Sequence, residues 1–245
     1  MKKVYIIGIG PGDPKYLTLE ACDLIKKLRY FIIPDKKGEK EHLTLLRERI
    51  LNHLRPQKDY ELIRLDFGQR PTELPYVDSV KEWRKHKAKL LLSAIQEIEE
   101  AGILVLGDPS LYDGYIEILR YLSTIIPIHF EVIPGISSIQ LLSAKHKISL
   151  NDIAGSVVLT TPRVMRKKKE IRDNTVVFLD NYESFRFIND PNIWIYWGAY
   201  LGTEKETVFS GRLVEVKDQL IKLRRSLREK HGYIMEIYLL SYRET

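Results

Sequence analysis

Three short apolar runs, each followed by a turn rich in glycine and proline, constrain the fold of this chain more than any other feature. They cover residues 4–9, 103–106 and 130–133. Apolar runs of this length that end at turns are typical of buried strands, and a helical pattern follows each of them. Strands that alternate with helices pair in parallel, so the sequence predicts an α/β fold.

The first half of the chain has a regular alternation of the two patterns. Further strands are predicted over residues 30–33 and 60–65, and helices over 18–27, 42–54, 79–98 and 113–122. Ser79 and Glu82 fit a capping box at the start of the third helix, and Gly102 fits its stop. A mainly parallel sheet is therefore expected here.

After Pro127 the pattern restarts with more strands than helices. Strands are predicted over residues 130–133, 157–159, 176–179, 193–197, 207–209 and 233–240, with helices over 136–145 and 217–230. The charge run over residues 166–170 is predicted to be a solvated loop. We therefore expect two α/β domains, residues 1–126 with a mainly parallel sheet and residues 127–245 with a mixed sheet.

Composition narrows the class of protein without naming a substrate. The 39 Lys and Arg residues exceed the 33 Asp and Glu residues, which favours an anionic partner such as nucleic acid, phosphate or a polycarboxylate. The single cysteine, Cys22, excludes an internal disulfide and is predicted to be a core residue of the first helix. The six histidines lack ligand spacing, so no metal site is expected. No apolar run is long enough for a membrane span, and a cytoplasmic protein is expected.

The first glycine-rich turn, residues 8–14, resembles a dinucleotide fingerprint only in part. Asp13 stands where the third glycine would be, and Pro11 has no amide to offer a pyrophosphate. Asp35, after the second strand, could mimic a ribose-binding acid, so a nicotinamide site stays a minor alternative. A plain tight turn explains the glycines nearly as well.

The other two turns also suit a ligand site. Gly107 would let a ligand approach the backbone, and Asp108 could accept hydrogen bonds from it, although a simple β-turn at Pro109 explains the same residues. Ser137 and Ser138 open a helix, where capping alone accounts for them. The hydrolase elbow is absent, so a serine nucleophile is not supported.

Taken together, the three turns in this order and spacing resemble the tetrapyrrole (corrin/porphyrin) methylase family along nearly the whole chain. Some members of this family act in cobalamin biosynthesis, where they methylate C-1 of the macrocycle and release acetate. The segments that resemble these members are residues 33–36, the helix over 41–50, Trp83, residues 107–113, residues 132–138 and residues 144–148.

This resemblance implies an enzyme, an S-adenosylmethionine-dependent C-methyltransferase with an anionic tetrapyrrole substrate. It also implies a homodimer and a donor site in a cleft between two domains, the first domain on the tetrapyrrole side and the second completing the donor site. S-adenosylhomocysteine would be the product. The implied donor contacts are Pro11, Leu106, Gly107, Asp108, Leu111, Ser137, Ser138, Leu179 and Ala199.

Release of acetate requires a base or a positioned water. The candidates are Asp35, Tyr112, His146 and Asp180, of which we put Asp35 first and Tyr112 second because they lie in segments that carry the resemblance. Three of them also have a structural explanation: Asp35 as a turn residue, Tyr112 as packing beneath the donor loop, and His146 as a charge at a helix end. The substrate carboxylates would meet basic groups, with Lys36, Lys37 and Arg163 as candidates.

Two alternatives stay open at this point. One is a member of the same family with another acceptor, namely another precorrin carbon, a protein side chain or ribosomal RNA. The other is a non-catalytic basic module that binds nucleic acid, which is disfavoured because the sequence has no recognised nucleic-acid motif.

Overall fold

The computed structural model describes residues 1–242, and the chain divides into two compact α/β units. The first unit runs from Met1 to Ser137, and the second begins at Ser138. Among the described residues, no helix is both long and apolar enough to cross a bilayer. Nor does this part of the chain contain a group of three or more His, Cys, Asp or Glu side chains that could hold a metal ion.

The first unit alternates strands and helices throughout. Its strands are β1 (Lys2–Gly8), β2 (Tyr30–Pro34), β3 (Glu61–Leu65), β4 (Glu100–Val105) and β5 (Ile128–Ile133). Its helices are α1 (Leu19–Lys27), α2 (Glu41–Leu54), α3 (Tyr76–Ala94) and α4 (Tyr115–Leu122). The strands lie in the order β3-β2-β4-β1-β5, and every pair is parallel. The predicted parallel sheet is confirmed.

Helices cover both faces of this sheet, which explains why its strands read as almost continuous apolar runs. Neighbouring residues of a strand point to opposite faces. Ile6 therefore packs with Ile103 in one buried cluster, and Ile7 packs with Leu104 in another. All four side chains are fully buried.

Strand β5 decides where the first unit ends. It pairs with β1 over six residue pairs, so it belongs to the first sheet although it follows the predicted boundary at residue 126. The first unit consequently extends to Ser137. Sequence reasoning assigned this strand to the second domain because the pattern restarts there and because pairing partners cannot be read from one strand alone.

Several local predictions differ from the structure. Helix α3 begins at Tyr76, and the Ser79 hydroxyl donates to the Pro71 carbonyl instead of capping the helix. Gly102 lies inside β4, where a side chain would overlap Ile7 and Leu28, and it does not stop a helix.

Two further predictions were wrong for reasons of packing. Residues 166–168 belong to a short helix instead of a loop. Cys22 is only half-buried, because α1 turns Ala21 and Ile25 toward the core and leaves Leu19 exposed.

The second unit has a mixed sheet, as predicted. Its strands are β6 (Val157–Thr160), β7 (Asn174–Phe178), β8 (Trp194–Ala199), β9 (Thr207–Arg212) and β10 (Glu236–Ser241). Its helices are α5 (Ser138–His146), α6 (Pro162–Lys168) and α7 (Leu213–His231), with a 3-10 helix at Ser184–Phe187. The order is β6-β7-β10-β8-β9; β6 and β7 are parallel and the other pairs are antiparallel.

A buried ionic network holds α7 against this second sheet. The Arg224 guanidinium donates to Glu236 at 2.5 and 2.7 Å and to the Asp180 carbonyl at 2.7 Å. The Trp197 indole also donates to Glu236, at 2.6 Å. Burial opposes the charge of Arg224, but the hydrogen bonds and charge of Glu236 outweigh it and raise the pKa of Arg224. The network is closed, with each charge matched by a partner.

Replacing Arg224 with Met should destabilise the protein strongly, because Glu236 would then be a buried carboxylate without its cation. We expect the free energy of unfolding in urea to fall by about 3–5 kcal/mol, as for other broken buried pairs. The matched control is Arg225→Met on the exposed side of the same helix, which should change it by less than about 0.5 kcal/mol. Equal effects of the two variants would contradict this account.

Candidate functional site

The carboxyl ends of all five parallel strands lie along one edge of the first sheet, where open α/β sheets bind ligands. Strands β4, β1 and β5 are neighbours in it, and each of them leads into one of the three glycine-containing turns. Strands β2 and β3 end side by side farther along the same edge. The three turns therefore meet at one place because of strand order.

The backbones of these three turns pack directly on one another. Gly10 and Gly107 exchange hydrogen bonds, with the Gly107 amide donating to the Gly10 carbonyl at 2.8 Å. A Cβ on Gly8 would lie 2.6 Å from the Gly135 nitrogen, and a Cβ on Gly135 would overlap the Gly107 carbonyl oxygen. Only glycine permits this approach.

Asp108 ties two of the turns together. Its carboxylate accepts from the Gly135 amide at 2.9 Å and from the Ser110 amide at 2.8 Å, and the Ser110 hydroxyl donates to it as well. Partial burial opposes the charged form, but these hydrogen bonds outweigh it and lower the pKa of Asp108. The Asp108 side chain therefore holds two of the turns together, and its carboxylate oxygens can still accept a hydrogen bond from a ligand.

Gly107 leaves open space at the centre of the site. Its φ is +73°, and a Cβ added to it would meet no atom within 4 Å. The other two turn glycines are close-packed, whereas this one presents bare backbone to a free volume. The arrangement suits a ligand that lies against the main chain.

The structure brings together the predicted donor contacts of the first unit. Pro11 and Ser137 are buried in the turns after β1 and β5, and the four others are half-buried in the turn after β4: Leu106, Gly107, Asp108 and Leu111. Ser138 is the first residue of α5 and belongs to the second unit.

Leu179 and Ala199, the two later predicted contacts, are neighbours within the second unit. The Leu179 amide donates to the Glu236 carbonyl at 2.9 Å, and Ala199 is paired with Glu236 across the sheet. Leu179 has a φ of +52° and is 42% exposed, whereas Ala199 is fully buried. A left-handed, exposed leucine is uncommon and is typical of functional loops.

A separate cavity of about 690 Å³ lies at the ends of β2 and β3. Asp35, Lys36 and Lys37 line it together with Arg70 and Trp83. The Asp35 amide donates to the Leu65 carbonyl at 2.8 Å, which fixes the start of this loop. Of the three predicted basic contacts, Lys36 and Lys37 are here, and Arg163 is exposed on α6 in the second unit.

The four candidate bases lie in different environments. Asp180 is fully buried and accepts hydrogen bonds from Tyr182, Ser184 and Tyr238, so it organises its own loop.

His146 is half-buried, with its Nε2 3.0 Å from the Trp197 carbonyl and its ring edge-on to Tyr196. Burial lowers the pKa of His146, which disfavours the predicted role as a helix-end cation.

The two preferred candidates are more accessible. Asp35 is half-buried and opens into the cavity. Tyr112 is 52% exposed with a φ of +55°, and burial of its hydroxyl raises the pKa of Tyr112. Both belong to the carboxyl edge of the first sheet.

Sequence reasoning missed a polar cluster beside the cavity, in which two residues are buried (Arg47 and Tyr115) and two are half-buried (Lys87 and Asp113). It consists of Arg47 on α2, Lys87 on α3, Asp113 and Tyr115. The available signal was Trp83 and Lys87, which stand four residues apart and therefore share a helix face. From sequence alone, a lysine on a helix face is predicted to be an exposed surface charge, because its neighbours in the fold are not known.

Comparison with known proteins is consistent with this geometry. The sequence profile of the tetrapyrrole (corrin/porphyrin) methylases matches residues 3–217. The chain belongs to this family. It is 38% identical to the precorrin-6A synthase [deacetylating] of Sinorhizobium sp. over 98% of this chain and 95% of that protein.

Solved structures of related proteins have the same fold. A cobalamin-synthesis-related protein from Corynebacterium diphtheriae superposes with a TM-score of 0.84 at 30% identity, over 100% of both chains. Uroporphyrin-III C-methyltransferase from Thermus thermophilus, solved with S-adenosylhomocysteine, has a TM-score of 0.63 at 21% identity over 98% of this chain and 92% of that one. This second likeness shows the fold alone.

Replacing Asp108 with Ala should loosen the junction of the turns. We expect hydrogen exchange at the Gly135 amide to become about tenfold faster. The free energy of unfolding at pH 7 should fall by about 1 kcal/mol; this loss is modest because solvent screens the partly exposed carboxylate. Ser110→Ala, which leaves the link to Gly135 intact, should change neither by much.

The same variant should reveal the charge of Asp108. Because its pKa is lowered in the folded state, its contribution is present above the unfolded value of about 3.9 and is lost as pH falls through the folded value. The stability difference between wild type and Asp108→Ala should therefore shrink below about pH 4. A difference that stays constant down to pH 2 would contradict this assignment.

Proposed function

We propose that this protein is a precorrin-6A synthase of the deacetylating type, which methylates precorrin-5 at C-1 with S-adenosylmethionine and releases acetate. The observation that carries the proposal is the 38% identity to the Sinorhizobium enzyme over nearly the full length of both chains. A cobalt-precorrin-2 C(20)-methyltransferase of Methanocaldococcus jannaschii is 30% identical over only 61% of this chain. The C-1 acceptor is therefore favoured over other precorrin carbons.

The three glycine turns of the first unit are the proposed donor site on this unit. Gly107 offers bare backbone beside open space, and Asp108 holds the turn after β5 in register with it. Donor residues proposed on the second unit are Ser138, Leu179 and Ala199. When bound, S-adenosylmethionine supplies an activated methyl group, so the protein needs only to align the acceptor carbon and exclude water.

The loss of acetate is the step that requires proton transfer. Water adds its oxygen to the carbonyl carbon of the two-carbon unit and gives a proton to a base. The carbon–carbon bond to the macrocycle then breaks, its electron pair stays with the macrocycle, and acetate leaves. We assign Asp35 as this base, because its carboxylate opens into the cavity at the carboxyl edge. Tyr112, on the donor turn, is the second candidate.

Binding of S-adenosylhomocysteine tests the donor site. Gly107→Ala should weaken it at least tenfold in calorimetry, because a methyl group would enter the open space. Gly38→Ala is the control: it also has a positive φ, +62°, and open space, but it lies outside the three turns. Both variants should lose about 1–2 kcal/mol of stability. Equal affinity of the two variants, or no binding by the wild type, would contradict the donor site.

Turnover with precorrin-5 and methyl-labelled donor tests the acceptor. We expect one labelled methyl group on C-1 and one acetate for each S-adenosylhomocysteine formed. Labelling of another carbon, of protein or of ribosomal RNA would instead assign the chain another acceptor within the family.

Asp35→Asn should separate the two steps. Methyl transfer should proceed within a few-fold of the wild-type rate, whereas acetate release should slow by about 10²–10⁴-fold, and the methylated intermediate should accumulate. Asp66→Asn is the matched control, because Asp66 lines the same cavity but is paired with Lys37 at 3.2 Å. Equal slowing of both steps in Asp35→Asn would argue against the base.

The homodimer implied by the family resemblance and the cytoplasmic location expected from the sequence belong to the same proposal. Sedimentation equilibrium of the purified chain measures the first, and cell fractionation measures the second. A monomer at micromolar concentration would remove the dimer from the proposal without affecting the chemistry.

A further inference from the structure

Among the described residues, Lys87 is a half-buried cation without an acceptor. Its Nζ lies 3.9 Å from the ring centre of Trp83, 5.1 Å from that of Phe67 and 5.6 Å from that of Tyr115. Among residues 1–242, no hydrogen bond or ion pair reaches its ammonium group. Aromatic faces stabilise a cation but leave its three N–H donors unused.

Tyr115 adds a second unused donor beside it. Its hydroxyl is buried and has no hydrogen-bond partner in the described part of the chain. Buried polar groups in folded proteins nearly always have partners, and an exception calls for a ligand or an ordered water. The two unused donors belong to α3 and α4, which pack against each other.

The charges around these donors are mainly positive. Lys87 is influenced by Lys36, Arg47 and Arg84, with Asp113 as the one acid that acts on it. The donors of Arg47 are directed to the Leu104 and Leu43 carbonyls, and Asp113 accepts from the Gly114 and Tyr115 amides. Asp113 therefore forms no ion pair with Lys87, and the cluster has an excess of positive charge.

The cluster connects the two parts of the candidate site. Trp83 and Lys36 line the cavity that Asp35 also lines. Asp113 directly follows the turn after β4, which belongs to the proposed S-adenosylmethionine site. The Lys36 ammonium, also half-buried, has no hydrogen-bond partner within residues 1–242. Asp35, Glu39 and Asp66 also line this cavity, but no acceptor among residues 1–242 occupies the Lys87 ammonium or the Tyr115 hydroxyl. An anion that reaches the cluster would therefore meet two unused hydrogen-bond donors.

We propose that Lys87, Tyr115 and Lys36 form a subsite for one side-chain carboxylate of the acceptor macrocycle. The carboxylate accepts from the Lys87 ammonium and the Tyr115 hydroxyl, while Lys36 adds charge at the cavity wall. The subsite rests on the proposed function only for the identity of the acceptor. It adds Lys87 and Tyr115, which family likeness does not assign, to Lys36, which was already a candidate contact for the substrate carboxylates.

Calorimetry with uroporphyrin, a stable porphyrin with eight carboxylates, tests the subsite. Lys87→Met should weaken binding at least tenfold, whereas Lys89→Met, on an exposed position of the same helix, should change it less than twofold. S-adenosylhomocysteine should bind equally to all three proteins. Equal uroporphyrin binding by Lys87→Met and wild type would overturn the subsite and leave the proposed function in place. No uroporphyrin binding by the wild type would overturn both the subsite and the proposed acceptor class.

Tyr115→Phe separates a binding role from a structural one. The hydroxyl has no partner in the ligand-free protein, so its removal should leave the melting temperature unchanged or higher. Uroporphyrin binding should nevertheless weaken about three- to tenfold. A lower melting temperature with unchanged binding would assign the hydroxyl to the fold and contradict the proposal.

The pH dependence of binding provides a third readout. Burial lowers the pKa of Lys87 to about 8, with Asp113 opposing this shift. The ammonium form binds the carboxylate, so affinity should fall as pH rises above about 8, while porphyrin carboxylates stay ionised. In Lys87→Met the affinity for uroporphyrin should no longer fall above about pH 8, whereas in Lys36→Met it should still fall. Burial also lowers the pKa of Lys36, so this comparison is needed to assign the titration to Lys87. A fall that persists in Lys87→Met would contradict the assignment.

Discussion

The close contact of three glycine backbones is the constraint on which the site depends. Gly8 and Gly135 lie so close to each other, and Gly135 so close to the Gly107 carbonyl, that a Cβ added to Gly8 or to Gly135 would push two of the turns apart. This contact is possible because β4, β1 and β5 are adjacent and parallel, which brings their carboxyl ends to one edge. Asp108 then fixes the distance between two of the turns. The exposed backbone of Gly107 is a product of this packing.

One polar cluster in each unit differs in how its charges are satisfied. In the second unit, Arg224 and Glu236 are fully paired, and the network links α7 to the sheet. In the first unit, the half-buried Lys87 ammonium and the buried Tyr115 hydroxyl have no acceptor among residues 1–242. A closed network adds rigidity, whereas unused donors have a cost in the free protein that a bound ligand can offset. This contrast is why we assign the first cluster to binding and the second to structure.

The first sheet divides its carboxyl edge between two tasks. Strands β4, β1 and β5 carry the glycine turns, and the neighbouring strands β2 and β3 carry the cavity with Asp35. Adjacent strands are only about 4.8 Å apart, so a donor on one part and a macrocycle on the other would be close enough to react. The proposed transfer thus requires little chemistry from side chains and much positioning by the backbone.

The sequence alone determined the alternation of strands and helices, the parallel character of the first sheet and the three turns that became the site. These follow from periodicity and from the special backbone of glycine, which are local properties. The tertiary structure decided that β5 belongs to the first sheet, that α3 begins at Tyr76 and that Cys22 lies outside the core. It also decided that Lys87 is half-buried among aromatic rings and that Asp180 is enclosed by hydrogen-bond donors. Strand partners and the burial of a charge depend on residues far apart in the chain, so no local pattern contains them.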